Sequence, residues 1–470
     1  MLALLVGIYL LASLLIGLYA ATRVKGAGDY AVARRAFGGP VVAAAFFATW
    51  FGAETVLGIP ATFLKEGLRG LAADPFAAFA CLVLVGLAFA RPFFRMDALT
   101  LGDYFRARYG RGAEIALTLC IAFSYIGWIA AQLVALGLAL NVISSGLVST
   151  HAGILIGAAV VLAYTMAGGM WSVALTDFFQ ALVIVAGLGY VAWVVVGLAG
   201  GPARVLEAAG SERMRFLPEA DVKSVLAWVS AALVVMLGSV PQQDVLQRVM
   251  SARNEGIAAR ATILGGAIYF VIALLPIVLV CAALAIDNAM VQRLVGEDYQ
   301  LILPTLILDR TPLAVQALFF GALVSAILST ASGALLAPAV ALAENVLRPL
   351  AKPRDDRGVL MLMRASVALL AVAVTIMALT SKLSIYQLVN ESGKIVLVTS
   401  FVPLAAGLFW PRATARGAHA AIAVGFFAWI LMEWLAPDAA IPPPLAGFLA
   451  SIAGMIAGSA TSMRRDRPAS

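Results

Sequence analysis

The chain has 470 residues, of which 63% are hydrophobic and 12% charged, and its mean hydropathy is +0.99. This composition excludes a soluble domain built around one core and predicts an all-α protein that crosses a membrane many times. The formal net charge of +7 would suggest nucleic-acid binding in a soluble chain. Here the basic residues lie in short loops between apolar segments, where they set topology, so we expect no nucleic-acid partner.

Cysteine and histidine positions give no sign of a metal centre or a disulfide framework. Cys81, Cys120 and Cys281 lie within apolar stretches and are typical of small buried residues. His151 and His419 are isolated from each other and from the cysteines. No nucleophile–base set or cofactor motif is visible either, so we do not expect an enzyme.

Thirteen apolar segments can be drawn, and the first is too long and too uniformly apolar to be a cleaved signal peptide. In chain order they cover about 1–22, 38–64, 71–93, 113–146, 151–168, 171–198, 224–247, 259–286, 312–347, 358–381, 383–411, 417–436 and 443–462. Basic residues are concentrated in every second loop. The positive-inside rule then predicts a multi-pass protein of the cell membrane, surrounded by lipid, with its N-terminus outside and its C-terminus in the cytoplasm.

The second segment is interrupted between Ala48 and Pro60, where two glycines, Glu54 and a proline lie at membrane depth. A helix in hydrocarbon can lose backbone hydrogen bonds only where protein, water or ions replace them. A carboxylate at that depth costs about 2.5–3.5 kcal/mol, so Glu54 is not expected to face lipid. Two interpretations stay open from this segment alone: a kinked structural helix, or an unwound segment whose carbonyls bind an ion.

The seventh segment has a similar interruption from Gly238 to Asp244. It lies five helices after the first one, and since five is odd the two segments run in opposite directions across the membrane. A pair of Gly/Pro-interrupted segments at matching positions of two inverted halves points to a secondary transporter, with substrate and ion between the breaks. The alternative is two unrelated kinks.

Four stretches resemble the sodium/solute symporter family, and the resemblance covers nearly the whole chain. They are Thr49 to Gly58, Tyr164 to Gln180, Ala326 to Pro338 and Pro403 to Gly417. The resemblance implies a LeuT-type fold of two inverted five-helix repeats, with one helix before them and further helices after them.

The domain organisation that follows has five parts. These are an extra N-terminal helix and cytoplasmic loop (1–37), a first five-helix repeat (38–198), an extracellular segment (199–223), an inverted second repeat (224–411), and two C-terminal helices with a cytoplasmic tail (412–470).

The resemblance also implies a sodium site made of oxygen atoms, which suits a hard cation. Its expected ligands are the carbonyls of Ala48, Phe51 and Ala326 and the hydroxyls of Ser329 and Thr330. From the residues alone, the two hydroxyls could instead bond to their own helix, as membrane Ser and Thr often do.

Asp177 and Ser332 correspond to positions that serve a second sodium, or the exit path of the first, in some members of the family. Gly333 stands where members with a second sodium tend to have a serine, which puts that ion in doubt. The alternative for Asp177 is a cap or salt bridge at the end of its helix. The number of sodium ions therefore stays open.

Candidate substrate residues come from both breaks and from the third core helix. Trp50, Trp128 and the Gln-Arg pair at 247–248 resemble the choline-transporter branch, and aromatic faces bind quaternary ammonium groups. That branch has a further tryptophan where this chain has Gln242, so the aromatic cage is incomplete. Glu54 and Thr55, in the first break, complete this set of candidates.

Lys394 offers a different indication, since it lies near the predicted midplane in the eleventh segment. It could pair with Glu391 three residues earlier, or it could hold a substrate carboxylate. We expect a sodium-coupled symporter that imports a small polar organic solute by alternating access, with a carboxylate or amino acid favoured. The alternatives are a symporter for choline, another organic cation or a sugar, and a sodium-conducting channel or sensor on the same scaffold. Substrate identity and oligomeric state stay open.

Overall fold

The computed structural model describes the backbone of residues 1–383 and 385–465 and, apart from Tyr386, Asn390, Glu391 and residues 462–465, their side chains. Regular structure in this part of the chain is helical, and its one extended pairing is an isolated bridge between Phe37 and Ala252. The expectation of an all-α protein is confirmed.

The first half of the chain contains ten helices, and those from α2 to α6 are connected through short 3₁₀ or π-helical turns. They are α1 (Leu2–Ala21), α2 (Ala27–Val32), α3 (Gly39–Trp50), α4 (Ile59–Glu66), α5 (Ala78–Leu84), α6 (Ala90–Arg95), α7 (Leu101–Tyr109), α8 (Arg111–Ile143), α9 (Thr150–Leu198) and α10 (Pro202–Ala209). The π-helical turns cover Glu54–Gly58, Ala72–Ala77 and Val85–Phe89, and the 3₁₀ turns cover Ala33–Arg35 and Gly67–Leu71.

The second half contains thirteen helices in the part that the structure describes. They are α11 (Val222–Met236), α12 (Gln243–Ser251), α13 (Glu255–Ala273), α14 (Leu275–Ile286), α15 (Asn288–Glu297), α16 (Ile302–Arg310), α17 (Leu313–Leu342), α18 (Arg348–Ala351), α19 (Asp356–Thr380), α20 (Ile385–Val396), α21 (Val402–Phe409), α22 (Ala415–Leu435) and α23 (Pro443–Arg465). Shorter turns cover Tyr299–Leu301, Ala343–Leu347 and Leu397–Phe401.

Helix α9 is two membrane segments joined at a glycine. Its 49 residues would extend about 74 Å at 1.5 Å per residue, far more than a hydrocarbon core of about 30 Å. Gly169 has φ 50° and ψ −135°, and an added Cβ would collide with the carbonyl of Tyr30. Only glycine adopts this backbone at such close approach without strain. The chain therefore turns where the sequence predicts a boundary between two segments.

Ten helical segments among the described residues are long and apolar enough to cross a membrane, counting α9 once. Helices α3 and α11 are shorter apolar helices that belong to the two interrupted segments. The architecture is therefore that of a polytopic helical membrane protein, and the count of thirteen crossings stays a prediction.

Both interruptions are present where the sequence predicts them. Helix α3 ends at Trp50, and the chain resumes a helical course only from Ala53 onward. Helix α11 ends at Met236 and α12 begins at Gln243. The two segments are antiparallel neighbours, because the chain before α3 pairs with the end of α12: Phe37 N–H donates to Ser251 O at 3.0 Å.

Helix α17 forms the centre of the bundle. Every residue from 319 to 341 is buried, and the helix packs against α3, α8 and α9. Small residues along α17 allow this close approach, which is how membrane helices gain packing energy when lipid is as apolar as their own side chains. The core of the protein therefore lies beside the first break.

The predicted orientation can be checked with two exposed loop positions, Ser211 between α10 and α11 and Arg354 between α18 and α19. In a background with Cys81, Cys120 and Cys281 changed to serine, we expect Ser211→Cys to react with an impermeant maleimide on intact cells. Arg354→Cys should react only after permeabilisation, because its basic loop is predicted to be cytoplasmic. The reverse labelling pattern would show that the predicted orientation of the chain in the membrane is wrong.

Candidate functional site

The first break exposes backbone carbonyls in the middle of the bundle. The last carbonyls of a helix have no intrahelical donor, so α3 ends with acceptors that need partners. Phe51, with φ −93° and ψ 80°, turns the chain out of the helix, and its ring packs against Phe47 and Tyr269. In a buried region such acceptors must find other donors or a cation.

Two hydroxyl groups of α17 meet these carbonyls. Ser329 Oγ lies 2.7 Å from the carbonyl oxygen of Ala48 and 3.0 Å from that of Ala326. Thr330 Oγ1 lies 2.9 Å from the carbonyl oxygen of Thr49 and 3.4 Å from that of Ala48. All five residues are fully buried. The structure thus brings four of the five predicted sodium ligands together and adds the carbonyl of Thr49.

This oxygen cluster has the composition that a sodium ion requires. Carbonyl and hydroxyl oxygens are hard ligands, and each hydroxyl can rotate its hydrogen away and turn a lone pair to a cation. The hydroxyls reach the carbonyls of Ala48 and Thr49, whereas Phe51 lies in the break itself. A role for the Phe51 carbonyl therefore stays a prediction.

A buried arginine lies next to this cluster. Arg248 on α12 is fully buried, and its guanidinium lies 3.6 Å from carboxylate oxygens of both Asp177 and Asp244. Its Nε donates to the carbonyl of Ala45 at 3.1 Å, and Nη2 donates to the hydroxyl of Thr49. That hydroxyl in turn lies 3.3 Å from Asp177. Thr49 therefore belongs to both groups. Its carbonyl contacts Thr330 in the oxygen cluster, and its hydroxyl contacts Arg248 and Asp177.

Gly333 makes room for this guanidinium. A Cβ added at Gly333 would lie 2.5 Å from Arg248 Nη2 and 3.1 Å from Thr49 Oγ1, so even an alanine would crowd the group. Ser332 Oγ, the other candidate on this turn, donates to the carbonyl of Ser329 at 3.1 Å. The arginine therefore occupies the position beside α17 toward which a serine at 333 would point.

A central cavity lies between the two breaks, on the side of α8 and α13. Its wall carries three aromatic side chains, two carboxylates, one amide and three serine hydroxyls, and none of its described side chains is basic. These polar and aromatic residues are Trp50, Trp128, Tyr269, Glu54, Asp74, Gln242, Ser124, Ser239 and Ser392.

The two carboxylates of the cavity wall are held by different partners. Glu54, 7% exposed, accepts from Trp128 Nε1 at 3.1 Å and from Gln132 Nε2 at 2.7 Å. Asp74 accepts from the hydroxyl of Tyr269 through Oδ1. The position of Glu54 away from lipid agrees with the cost of a lipid-facing acid.

Two further candidates are not on this wall. Thr55 is fully buried and does not line the cavity. Lys394 lines a neighbouring cavity, where its Nζ lies 3.8 Å from Glu433 Oε1. The alternative partner, Glu391, has a side chain outside the described residues.

No site role was predicted for Asp74 or Asp244, and Arg248 was noted only as part of the Gln-Arg resemblance at 247–248, although each of the three had a usable signal. Arg248 and Asp244 are charged residues at membrane depth, which by itself predicts that each has a partner. Asp74 is an acid within the third apolar segment, directly before Pro75. The pairing of Asp244 with Arg248 is an i,i+4 contact that local spacing allows. Their other partners, Asp177 for Arg248 and Tyr125 for Asp244, and the partner of Asp74, Tyr269, come from segments distant in the chain, which no local pattern indicates.

The fold and the site together indicate a class of membrane protein. Two interrupted helices of opposite direction, with a polar cavity and an oxygen cluster between them, are the arrangement of secondary transporters with inverted repeats. The chain belongs to the sodium:solute symporter family, whose model matches residues 30–425.

Known proteins resemble this chain in sequence and in fold. The chain is 28% identical over 442 residues to the high affinity choline transporter 1 of Homo sapiens, covering 89% of this chain and 74% of the relative. It is 26% identical to an osmoregulated proline transporter of Bacillus subtilis, covering 98% and 94% of the two chains. A solved Na⁺-coupled sialic acid symporter, 20% identical, superposes with a TM-score of 0.84 over 100% of this chain and 99% of that chain. The LeuT-type fold is thereby confirmed.

Proposed function

We propose that the protein is a sodium-coupled symporter that imports a small organic cation by alternating access. Sodium would bind at the oxygen cluster formed by Ala48, Thr49, Ala326, Ser329 and Thr330. The support is the set of hydroxyl–carbonyl contacts of 2.7–3.4 Å between α17 and the first break. Because the ligands come from both the broken helix and α17, binding sodium would draw these two elements together.

One sodium ion per cycle is the second part of the proposal. The buried cluster next to the oxygens contains two carboxyl groups, Asp177 and Asp244, and one guanidinium, Arg248, and with both carboxyl groups ionised it carries one net negative charge. A single sodium ion at the oxygen cluster makes the region neutral. A second one would leave a buried positive charge, which a low-dielectric interior strongly disfavours.

The preference for a cation rests on the cavity wall. Glu54 and Asp74 face a cavity whose described side chains include no base, and Trp50 and Trp128 supply aromatic faces. A positive ligand gains Coulomb attraction from the acids and cation–π attraction from the indoles, whereas a carboxylate would be repelled. Since Lys394 pairs with Glu433 off this wall, the structure gives an anionic substrate less support than the sequence did.

Replacing Trp128 with leucine tests this proposal. The variant removes both the aromatic face and the donor to Glu54, so we expect affinity for an ammonium ligand to fall at least about tenfold. Binding is measured with the purified protein by the ligand-induced rise in unfolding temperature in sodium buffer. Trp193 on α9 is 72% exposed, so Trp193→Leu is the matched control and should bind the ligand normally.

The same assay separates the alternatives. Amines, choline, proline, simple carboxylates and sugars are compared with and without sodium. Stabilisation by carboxylates or sugars but not by any amine would reject the cation proposal. Sodium current through reconstituted protein without saturable uptake of any solute would indicate a channel instead.

A further inference from the structure

We infer that the cation recognised by this cavity carries at least one N–H group, so that a primary, secondary or tertiary amine is bound in preference to a quaternary ammonium. This inference rests on the proposed function and narrows its substrate class. The residue that imposes the preference is Asp74.

Asp74 is placed to accept a hydrogen bond from a ligand. Its Oδ1 accepts from the hydroxyl of Tyr269, which fixes the orientation of the carboxylate. Its Oδ2 makes no hydrogen bond within the described residues, and the side chain lies on the cavity wall. A partly buried carboxylate with one oxygen free of hydrogen bonds gains a charge-assisted hydrogen bond from an ammonium N–H.

A quaternary ammonium cannot fill this position. Its methyl groups attract the carboxylate only by charge, and they would displace water from Oδ2 without replacing its hydrogen bond. Leaving a buried acceptor without a donor is costly, and sites built to bond a substrate group strongly reject analogues that lack it. The aromatic faces of Trp50 and Trp128 attract both kinds of cation, so they do not offset this difference.

A second observation indicates an oxygen on the same ligand. Trp50 lies on the cavity wall and is 8% exposed, and its indole N–H has no acceptor within the described residues. Buried indole N–H groups usually have a partner. A small amine with a hydroxyl or carbonyl oxygen would supply an acceptor to Trp50 and a donor to Asp74.

The test is a methylation series on one skeleton: 2-aminoethanol, its N-methyl and N,N-dimethyl derivatives, and choline. Each is titrated into the purified full chain in sodium buffer, with binding followed by isothermal calorimetry. We expect the dimethyl compound to bind at least about tenfold more tightly than choline, because both are cations of similar size and only the first has an N–H. Equal or tighter binding of choline would overturn the inference and leave the proposed function intact.

Asp74→Asn provides the second arm. It keeps the shape of the side chain and removes its charge, so the ratio between the two ligands should fall to near one, while half-saturation by sodium alone stays unchanged. Retention of the full ratio in a folded Asp74→Asn would overturn the assignment to Asp74. If no amine in the series binds the wild-type protein, the proposed function fails and this inference fails with it.

Discussion

Replacing Arg248 with methionine is expected to destabilise the folded protein by about 3–5 kcal/mol, the largest effect of any single substitution considered for this chain. The guanidinium is fully buried between Asp177 and Asp244. Removing it leaves two buried carboxylates without a positive partner and the carbonyl of Ala45 without a donor. The measurement is thermal unfolding of the purified variant in detergent, together with the monodisperse fraction on size exclusion.

Two control variants separate charge compensation from packing. Arg248→Met combined with Asp177→Asn and Asp244→Asn removes all three charges and should recover most of the lost stability. Arg95→Met breaks the exposed ion pair between Arg95 and Glu255. Its Nε–Oε2 distance of 2.7 Å is shorter than the 3.6 Å of the Arg248 pairs, but the substitution should change stability little because water screens the two charges. A triple variant that is no more stable than Arg248→Met would contradict this account.

Substitution of the α17 hydroxyls is expected to weaken sodium binding at least tenfold, or about 1.4 kcal/mol. Ser329→Ala removes one proposed ligand, and Thr330→Val removes another while keeping the side-chain shape. Both should raise the sodium concentration that gives half-maximal stabilisation or uptake, and potassium should not substitute for sodium. Because the Ala48 carbonyl also loses a donor, folding is checked separately by unfolding temperature.

Two other serines of α17, Ser325 and Ser332, provide control variants for the Ser329 and Thr330 substitutions. Ser325→Ala removes a hydroxyl that bonds to Tyr9 and to the carbonyl of Gly321, and it should leave sodium affinity unchanged. Ser332→Ala tests the second ion: with one sodium per cycle, neither the affinity nor a Hill coefficient near one should change. Uptake that persists without sodium and without a proton gradient would contradict the proposed sodium site.

The breaks in the two interrupted segments could be predicted because their signals are local. Glycine, proline and polar residues within an apolar stretch weaken a helix wherever it lies, so Ala48–Pro60 and Gly238–Asp244 were visible without any partner. The pairing of the first break with Ser329 and Thr330 was different. It came from resemblance to a family, since nothing in the spacing of residues 48 and 329 indicates contact.

The proposed substrate class shows where prediction from the sequence reached its limit. Lys394 at membrane depth suggested a carboxylate ligand, because an isolated ammonium there needs a partner. The structure places its Nζ 3.8 Å from Oε1 of Glu433 on α22, a contact that no local pattern indicates. Asp74 and Glu54 face one cavity because the first break and the start of the next segment flank it.

Apolar length, basic loops and helix-breaking residues act on each segment separately. The sequence alone was therefore enough to predict a polytopic helical protein with two broken helices. It also showed that several charges must be compensated, because the cost of burying a charge depends on depth and not on the partner. The pair of Asp244 and Arg248, four residues apart on one helix, is allowed by local spacing. The other charge contacts depend on the packing of helices distant in the chain. Only the tertiary structure therefore revealed that Arg248 also reaches Asp177 across the space left by Gly333, and that the cavity between the breaks is acidic and aromatic.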